Sequence, residues 1–99
     1  MNSFDQIRQW AHARNLIDGS NPKSQFVKLA EEVGELASGI GKDNLAEIED
    51  AIGDIAVVIT IMASQYGMQV EDCIASAYAH IKDRKGKMLD GIFIKEGDV

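Results

Sequence analysis

The sequence predicts an all-α fold: a four-helix bundle-like domain of antiparallel helices that assembles as an oligomer. Apolar residues recur at helical spacing in four segments, and short turns rich in glycine or polar residues separate these segments. Almost no segment shows the alternation of a paired strand. A chain of 99 residues forms one small domain, residues 1–99, whose core is limited by its size.

The first two helices flank the segment that holds the only proline. Helical spacing of apolar residues predicts the first helix over residues 4–16. Asn21 or Ser20 is expected to cap the second helix, which then runs from Pro22 to about Ile40.

The third helix is expected from about Asn44 to Tyr66. In its run IAVVITIMA, apolar residues cover nearly the whole circumference, and such a helix needs neighbours on all sides. Three other helices of this size supply too little cover, so we expect a homodimer or homotetramer. The fourth helix is expected over residues 68–87, and an extended segment over residues 91–99.

Charge and composition exclude several classes of protein. A net charge of −6 argues against non-specific binding to nucleic acid or to an anionic membrane surface. The longest apolar run is too short to cross a bilayer, and the first residues lack the apolar stretch of a signal peptide. The single Cys73 fits a reducing compartment, so we expect a cytoplasmic protein.

Eight acidic residues and one lysine lie between residues 31 and 54. At about 100° per residue, Glu31, Glu32 and Glu35 project from one side of the second helix. On the third helix, the acids at i, i+3 and i+7 lie within about 60° of one another. The short turn makes the two helices antiparallel neighbours, so their acidic faces meet. The acids are Glu31, Glu32, Glu35, Asp43, Glu47, Glu49, Asp50 and Asp54.

Two acidic faces in contact repel each other unless a cation lies between them. Mg²⁺ prefers oxygen ligands and often takes its remaining ligands from water and substrate phosphates, and Mn²⁺ is an alternative. A solvated helix face is the ordinary explanation of acids on a helix. Here the acids border apolar residues, which favours a metal site.

The motif EEVGE, followed by DAIGD, resembles the MazG-like family of all-α nucleoside triphosphate pyrophosphohydrolases. The family pattern is Glu-Glu-x-x-Glu on one helix and Glu-x-x-Asp on the next. The first half is complete at Glu31, Glu32 and Glu35, and Asp54 supplies the aspartate. Ala51 stands where the family usually has glutamate, so Asp50 and Glu47 are the available substitutes.

The resemblance implies hydrolysis of a nucleoside triphosphate to the monophosphate and pyrophosphate, with Mg²⁺, in an oligomer. It implies that Glu32, Glu35 and Asp54 hold the metal with help from Asp50. The catalytic role of orienting or deprotonating water would fall to Glu31 or Glu32.

Five further residues are candidates for substrate binding. Cations must offset the charge of a triphosphate, and Lys82 and Lys85 are candidates, although cations also favour the end of a helix. Lys28 is a phosphate candidate or an ion-pair partner of Glu32. Trp10 stacks on a base or packs in the core, and Gln25 lies near the pocket or on the surface.

Two other functions remain open on the sequence. One is hydrolysis of another nucleotide, such as phosphoribosyl-ATP, on the same scaffold. The other is a catalytically silent helical oligomer that binds a nucleotide or a protein, and Ala51 keeps this possibility open.

Overall fold

The computed structural model describes residues 1–98 and contains four α-helices followed by a β-hairpin, which confirms the mostly helical prediction. Val99, the last residue of the predicted extended segment, lies outside the described residues. The elements are α1 (Ser3–Ala13), α2 (Pro22–Gly41), α3 (Leu45–Gln65), α4 (Val70–Ile81), β1 (Gly86–Leu89) and β2 (Ile92–Lys95). No helix among residues 1–98 is both long and apolar enough to span a membrane.

Asparagine side chains begin the first three helices. Asn2, Asn21 and Asn44 each precede a helix and accept a hydrogen bond from the backbone N–H three residues later. Each side chain thereby satisfies one of the free donors of the first turn. Asn21, rather than Ser20, therefore caps α2.

Helix α3 is the centre of the domain and contacts the other three helices. The turn of residues 42–44 joins α3 to α2, its most extensive neighbour. Asp43 in this turn has a φ of 53°, a conformation that aspartate tolerates better than most residues. On the other side of α3, a small core of Ala11, Ile17 and Ile61 fixes the position of α1.

Gly39 lets the end of α2 approach the start of α3. A Cβ atom at Gly39 would lie 3.1 Å from Glu47 Cβ and 3.2 Å from the Ile48 backbone nitrogen. These distances are shorter than ordinary van der Waals contact, so any side chain at this position requires the two helices to move apart by a few tenths of an ångström. This contact holds the acidic parts of α2 and α3 together.

Gly39→Val is expected to lower the free energy of unfolding by about 1–3 kcal/mol, because the added side chain forces the helices apart. Gly34→Val is the matched control, since a Cβ at Gly34 meets nothing within 4 Å. That control is expected to stay within about 0.5 kcal/mol of the unmodified chain. Urea unfolding measures both variants, and equal losses would contradict the close-approach role of Gly39.

An ion pair joins α1 to α4. The Arg8 guanidinium donates hydrogen bonds of 2.6 Å to both carboxylate oxygens of Glu71 and one of 2.6 Å to Asp5. The hydrogen bond from Arg8 lowers the pKa of Glu71 from 4.5 to about 2. Because the folded pKa is depressed, this pair contributes stability above about pH 4.5 and loses it as the pH falls towards 2.

Glu71→Gln is expected to be less stable than the unmodified chain at neutral pH. The difference is expected to shrink between pH 4.5 and about 2, where Glu71 becomes protonated in the folded state. Unfolding curves at a series of pH values measure this. Parallel pH profiles for the two proteins would show that the pair does not couple α1 to α4.

The C-terminal part differs from the prediction. The expectation that the fourth helix reaches residue 87 is wrong: α4 ends at Ile81, and β1 pairs antiparallel with β2. Asp90 and Gly91 form the turn, with φ values of 51° and 81°, as in the tight hairpin turn that favours Asp-Gly. The predicted extended segment therefore contains one strand of a hairpin, and the partner strand begins within the last residues of the expected helix.

Candidate metal centre

Three carboxylates from α2 and α3 converge on one point. Glu32, Glu35 and Asp54 each offer an oxygen, and these oxygens lie within 4.8 Å of one another. Glu32 is only 3% exposed, whereas Glu35 and Asp54 are open to solvent. Glu32 and Glu35 lie on one helix and Asp54 on its antiparallel neighbour, so the packing of α2 on α3 builds the cluster.

Lys28 offsets part of this negative charge. Its Nζ atom lies 3.0 Å from Glu32 Oε1, one turn away on α2. This hydrogen bond lowers the pKa of Glu32, although burial acts in the opposite direction. The same contact raises the pKa of Lys28, so both groups are charged at neutral pH.

The other two carboxylates of the cluster, Glu35 and Asp54, are repelled by the negative charge of Glu32. The negative charge of Glu32 raises the pKa of Glu35, and burial makes a further contribution. The pKa of Asp54 is raised by burial first and by the charge of Glu32 second. Both shifts show that one lysine does not neutralise three carboxylates.

The second carboxylate oxygen of Glu32 shows that the cluster fits a metal ion. Glu32 Oε2 is buried and has no hydrogen-bond partner among the described residues. A buried charged oxygen without a partner is costly. A divalent cation between the three carboxylates would satisfy this oxygen and relieve the repulsion, so the residues fit a hard metal ion with oxygen ligands.

The cluster opens into an acidic cleft of about 330 Å³. Its lining residues are Glu35, Ser38, Glu47, Asp50 and Asp54. Asp50 and Glu47, the two proposed substitutes for the glutamate expected at Ala51, therefore both face the cleft, although neither belongs to the three converging carboxylates. Ala51 itself is buried.

An apolar cleft of about 470 Å³ adjoins the acidic one and shares Asp54 with it. Its other lining residues are Ser3, Gln6, Ile7, Trp10 and Val57. The Arg14 guanidinium lies over the Trp10 ring at 4.5 Å from its centroid. Trp10 is 46% exposed, so it does not simply fill the core.

The remaining predicted site residues lie outside the three-carboxylate cluster. Glu31 is exposed and lies 3.8 Å from Lys28 Nζ. Gln25 donates a hydrogen bond of 3.0 Å to Ser20 Oγ at the start of α2. Lys82 follows α4 and Lys85 precedes β1; both are exposed, and within residues 1–98 neither lines the acidic cleft.

Sequence reasoning missed most of the apolar cleft. Ser3, Gln6, Ile7 and Trp10 lie at i, i+3, i+4 and i+7, which places them on one face of α1. That spacing was available in the sequence. Nothing in the sequence showed that this face and α3 enclose a cleft beside Asp54.

The chain is thus a mostly helical protein with a candidate divalent-cation site, which three carboxylates form between two antiparallel helices. The model of the MazG nucleotide pyrophosphohydrolase domain matches residues 20–89. The chain belongs to this family, which confirms the resemblance drawn from its acidic motif.

Two viral proteins of unassigned role are similar to the chain. An uncharacterized 18.2 kDa protein from the rep-hol intergenic region of Haemophilus phage HP1 is 52% identical over 59 residues, 60% of this chain and 36% of the phage protein. The uncharacterized protein L479 of Acanthamoeba polyphaga mimivirus is 38% identical over 58 residues, 56% of this chain and 23% of L479. The matched segments thus span well under half of both relatives. No solved structure matches the chain significantly.

Proposed function

We propose that the protein is a Mg²⁺-dependent nucleoside triphosphate pyrophosphohydrolase that acts on the cytoplasmic nucleotide pool. It would convert a nucleoside or deoxynucleoside triphosphate and water to the monophosphate and pyrophosphate. The observation that carries this proposal is the buried, unpartnered Oε2 of Glu32 within a three-carboxylate cluster. Membership of the MazG domain family supports the reaction class.

Glu32, Glu35 and Asp54 would hold Mg²⁺, or Mn²⁺ in its place, and Asp50 would assist from the wall of the acidic cleft. When bound, the metal would neutralise phosphate charge and make water more acidic. Mg²⁺ commonly binds proteins through a few carboxylates and leaves its other positions to water and phosphate oxygens, which suits an open cleft.

In the proposed reaction, a water oxygen bonds to the α-phosphorus and the bond from the α-phosphorus to the bridging oxygen breaks. Pyrophosphate leaves with that oxygen. Glu31 is exposed beside the cluster and would orient the water and accept its proton. Glu32 is the alternative for this role, but its Oε1 already accepts a hydrogen bond from Lys28.

Lys28 would contact a substrate phosphate, and its ion pair of 3.0 Å with Glu32 Oε1 in the cluster supports this role. Gln25, one turn before Lys28 on α2, would contribute a polar contact if it left Ser20. Lys82 and Lys85 do not line the acidic cleft, so they would offset the charge of a bound triphosphate only if their segment moved towards that cleft.

The apolar cleft is suited to the nucleoside part of the substrate. Trp10 offers an aromatic face for stacking, and Ser3 and Gln6 offer polar atoms to a base edge. Asp54 borders both clefts, so a triphosphate on the metal and a base beside Trp10 would lie on adjoining surfaces.

A panel of ribonucleoside and deoxynucleoside triphosphates, assayed for pyrophosphate with Mg²⁺ and with chelator, tests the proposal. We expect release of pyrophosphate and monophosphate from at least one member of the panel, and none with chelator. Phosphoribosyl-ATP is assayed beside the panel, and its turnover without turnover of any nucleoside triphosphate would make it the substrate instead. Nucleotide binding without product would instead make the chain a binding module.

A further inference from the structure

Lys28 contacts two acidic residues of α2 at the candidate metal site. Its Nζ atom lies 3.0 Å from Glu32 Oε1 and 3.8 Å from Glu31 Oε2. Among residues 1–98, no other lysine or arginine forms an ion pair with these two acids or with the other carboxylates of the cluster. One ammonium group therefore pairs both with the buried carboxylate of the cluster and with the exposed carboxylate proposed to accept a proton from water.

The two partners of the closer ion pair differ in their freedom to move. The Glu32 side chain is 4% exposed, whereas the Lys28 side chain is 54% exposed. Burial between helices fixes the carboxylate, but the four-carbon stem of lysine is flexible and its ammonium group is strongly hydrated. The Lys28 ammonium group can therefore leave Glu32 for another anion while the Glu32 carboxylate keeps its place.

A divalent ion in the cluster would compete with Lys28 for Glu32. The oxygens offered by the three carboxylates lie within 4.8 Å of one another, and Glu32 Oε2 is buried without a partner. An ion bound there would share the Glu32 carboxylate with the ammonium group on Oε1. Two cations on one carboxylate repel each other, and burial limits the screening of this repulsion. Lys28 on Glu32 therefore opposes binding of the ion.

A phosphate group would end this competition. Lysine is a common phosphate ligand, and its ammonium group has three N–H donors. If Lys28 turned from Glu32 to a phosphate oxygen, it would keep a negatively charged partner and would no longer compete with the ion. The same movement would remove its charge from Glu31, which then has its carboxylate free for the water.

We propose that Lys28 is an internal counterion that exchanges a carboxylate partner for a phosphate partner. Without substrate, Lys28 pairs with Glu32 and Glu31 and weakens binding of the divalent ion. When a triphosphate binds, Lys28 transfers to a phosphate oxygen, which strengthens ion binding and frees Glu31. The ion and the triphosphate therefore favour each other's binding. This inference rests on the proposed function, because it uses the metal site and the triphosphate substrate proposed there.

Titration calorimetry with two matched variants tests the exchange. Lys28→Met keeps most of the stem and removes the charge. Lys42→Met makes the same change at a lysine whose Nζ atom lies 3.7 Å from Glu47 Oε1, outside the cluster. The two probes are Mn²⁺ alone and the Mn²⁺ complex of inorganic tripolyphosphate, which carries the phosphates without a base.

Lys28→Met is expected to shift the two dissociation constants in opposite directions. It should bind Mn²⁺ alone about tenfold or more tightly, because the competing cation is gone. It should bind the tripolyphosphate complex about tenfold or more weakly, because a charged hydrogen bond is lost. Lys42→Met should change each constant by less than about threefold, since exposed ion pairs contribute little.

A purely structural ion pair predicts that Lys28→Met weakens both ligands or neither, and either result would overturn the exchange. If circular dichroism shows that Lys28→Met does not fold, Lys28→Gln takes its place with the same expectations. Absence of Mn²⁺ binding by the unmodified chain would overturn the proposed metal site together with this inference. The titrations need no turnover, so a chain that shows the opposite shifts but releases no pyrophosphate would support the exchange and overturn only the proposed reaction.

Discussion

Replacing Glu35 with glutamine is expected to reduce Mg²⁺-dependent release of pyrophosphate by at least about 100-fold in kcat/KM, because even groups that only support a metal ligand contribute 10–100-fold. Glu35 belongs to the cluster and also lines the acidic cleft, so its carboxylate would face both the proposed ion and a substrate bound in the cleft. Glutamine keeps the shape of the side chain and removes one charged oxygen ligand. Steady-state assays of pyrophosphate release measure the change.

Glu49→Gln is the matched control for this prediction. Glu49 lies on α3 within the same acidic stretch and is exposed, but it does not belong to the converging carboxylates. Activity close to that of the unmodified chain is expected for the control. Full activity of Glu35→Gln would remove Glu35 from the metal site.

Mg²⁺ is expected to raise the melting temperature. At a concentration ten times its dissociation constant, an ion that binds only the folded state stabilises it by about 1.4 kcal/mol. For a domain of this size, that corresponds to a rise in Tm of roughly 6–11 °C. Mn²⁺ is expected to act in the same direction, since it takes the same oxygen ligands. Thermal unfolding with and without the ion measures the effect.

Glu35→Gln is expected to raise the melting temperature measured without metal and to reduce the increase that Mg²⁺ causes. The charge of Glu32 raises the pKa of Glu35, so ionised Glu35 destabilises the folded chain once the pH exceeds its ordinary pKa. The glutamine variant should therefore melt higher than the unmodified chain without metal at neutral pH, and should gain little from Mg²⁺. A variant that melts lower without metal would show that the cluster is not under electrostatic strain.

The sequence was sufficient for the helical framework because its signals are local. Helical periodicity, with a capping residue expected just before Pro22 of α2, placed α2 and α3 within a residue or two of their observed ends. The i, i+3 and i+4 spacing fixes the side of a helix on which a residue lies, so the acidic faces of α2 and α3 were predictable. Glu32, Glu35 and Asp54 converge there, whereas Asp50 and Glu31, which the same prediction included, lie outside the cluster. The antiparallel turn then brought the two sides together.

The parts that sequence reasoning missed depend on contacts between distant segments. Continuous helical spacing suggested a helix to residue 87, but the Asp90–Gly91 turn pairs residues 86–89 with the strand that follows. The apolar cleft needed the docking of α1 on α3, which rests on Ile17 and Ile61. The burial of Glu32 and its unpartnered oxygen likewise became visible only in three dimensions.

The family match begins at residue 20 and therefore excludes α1. The residues that converge on the candidate ion lie on α2 and α3, inside the matched range, whereas Ser3, Gln6 and Trp10 of the apolar cleft lie outside it. In the proposed function, the ion would therefore be held inside the matched range, whereas α1, outside that range, would supply most of the lining of the apolar cleft. Substitutions along that face of α1 would then change the lining of the apolar cleft and leave all three carboxylates in place, so the proposed nucleoside preference is separable from the proposed metal site.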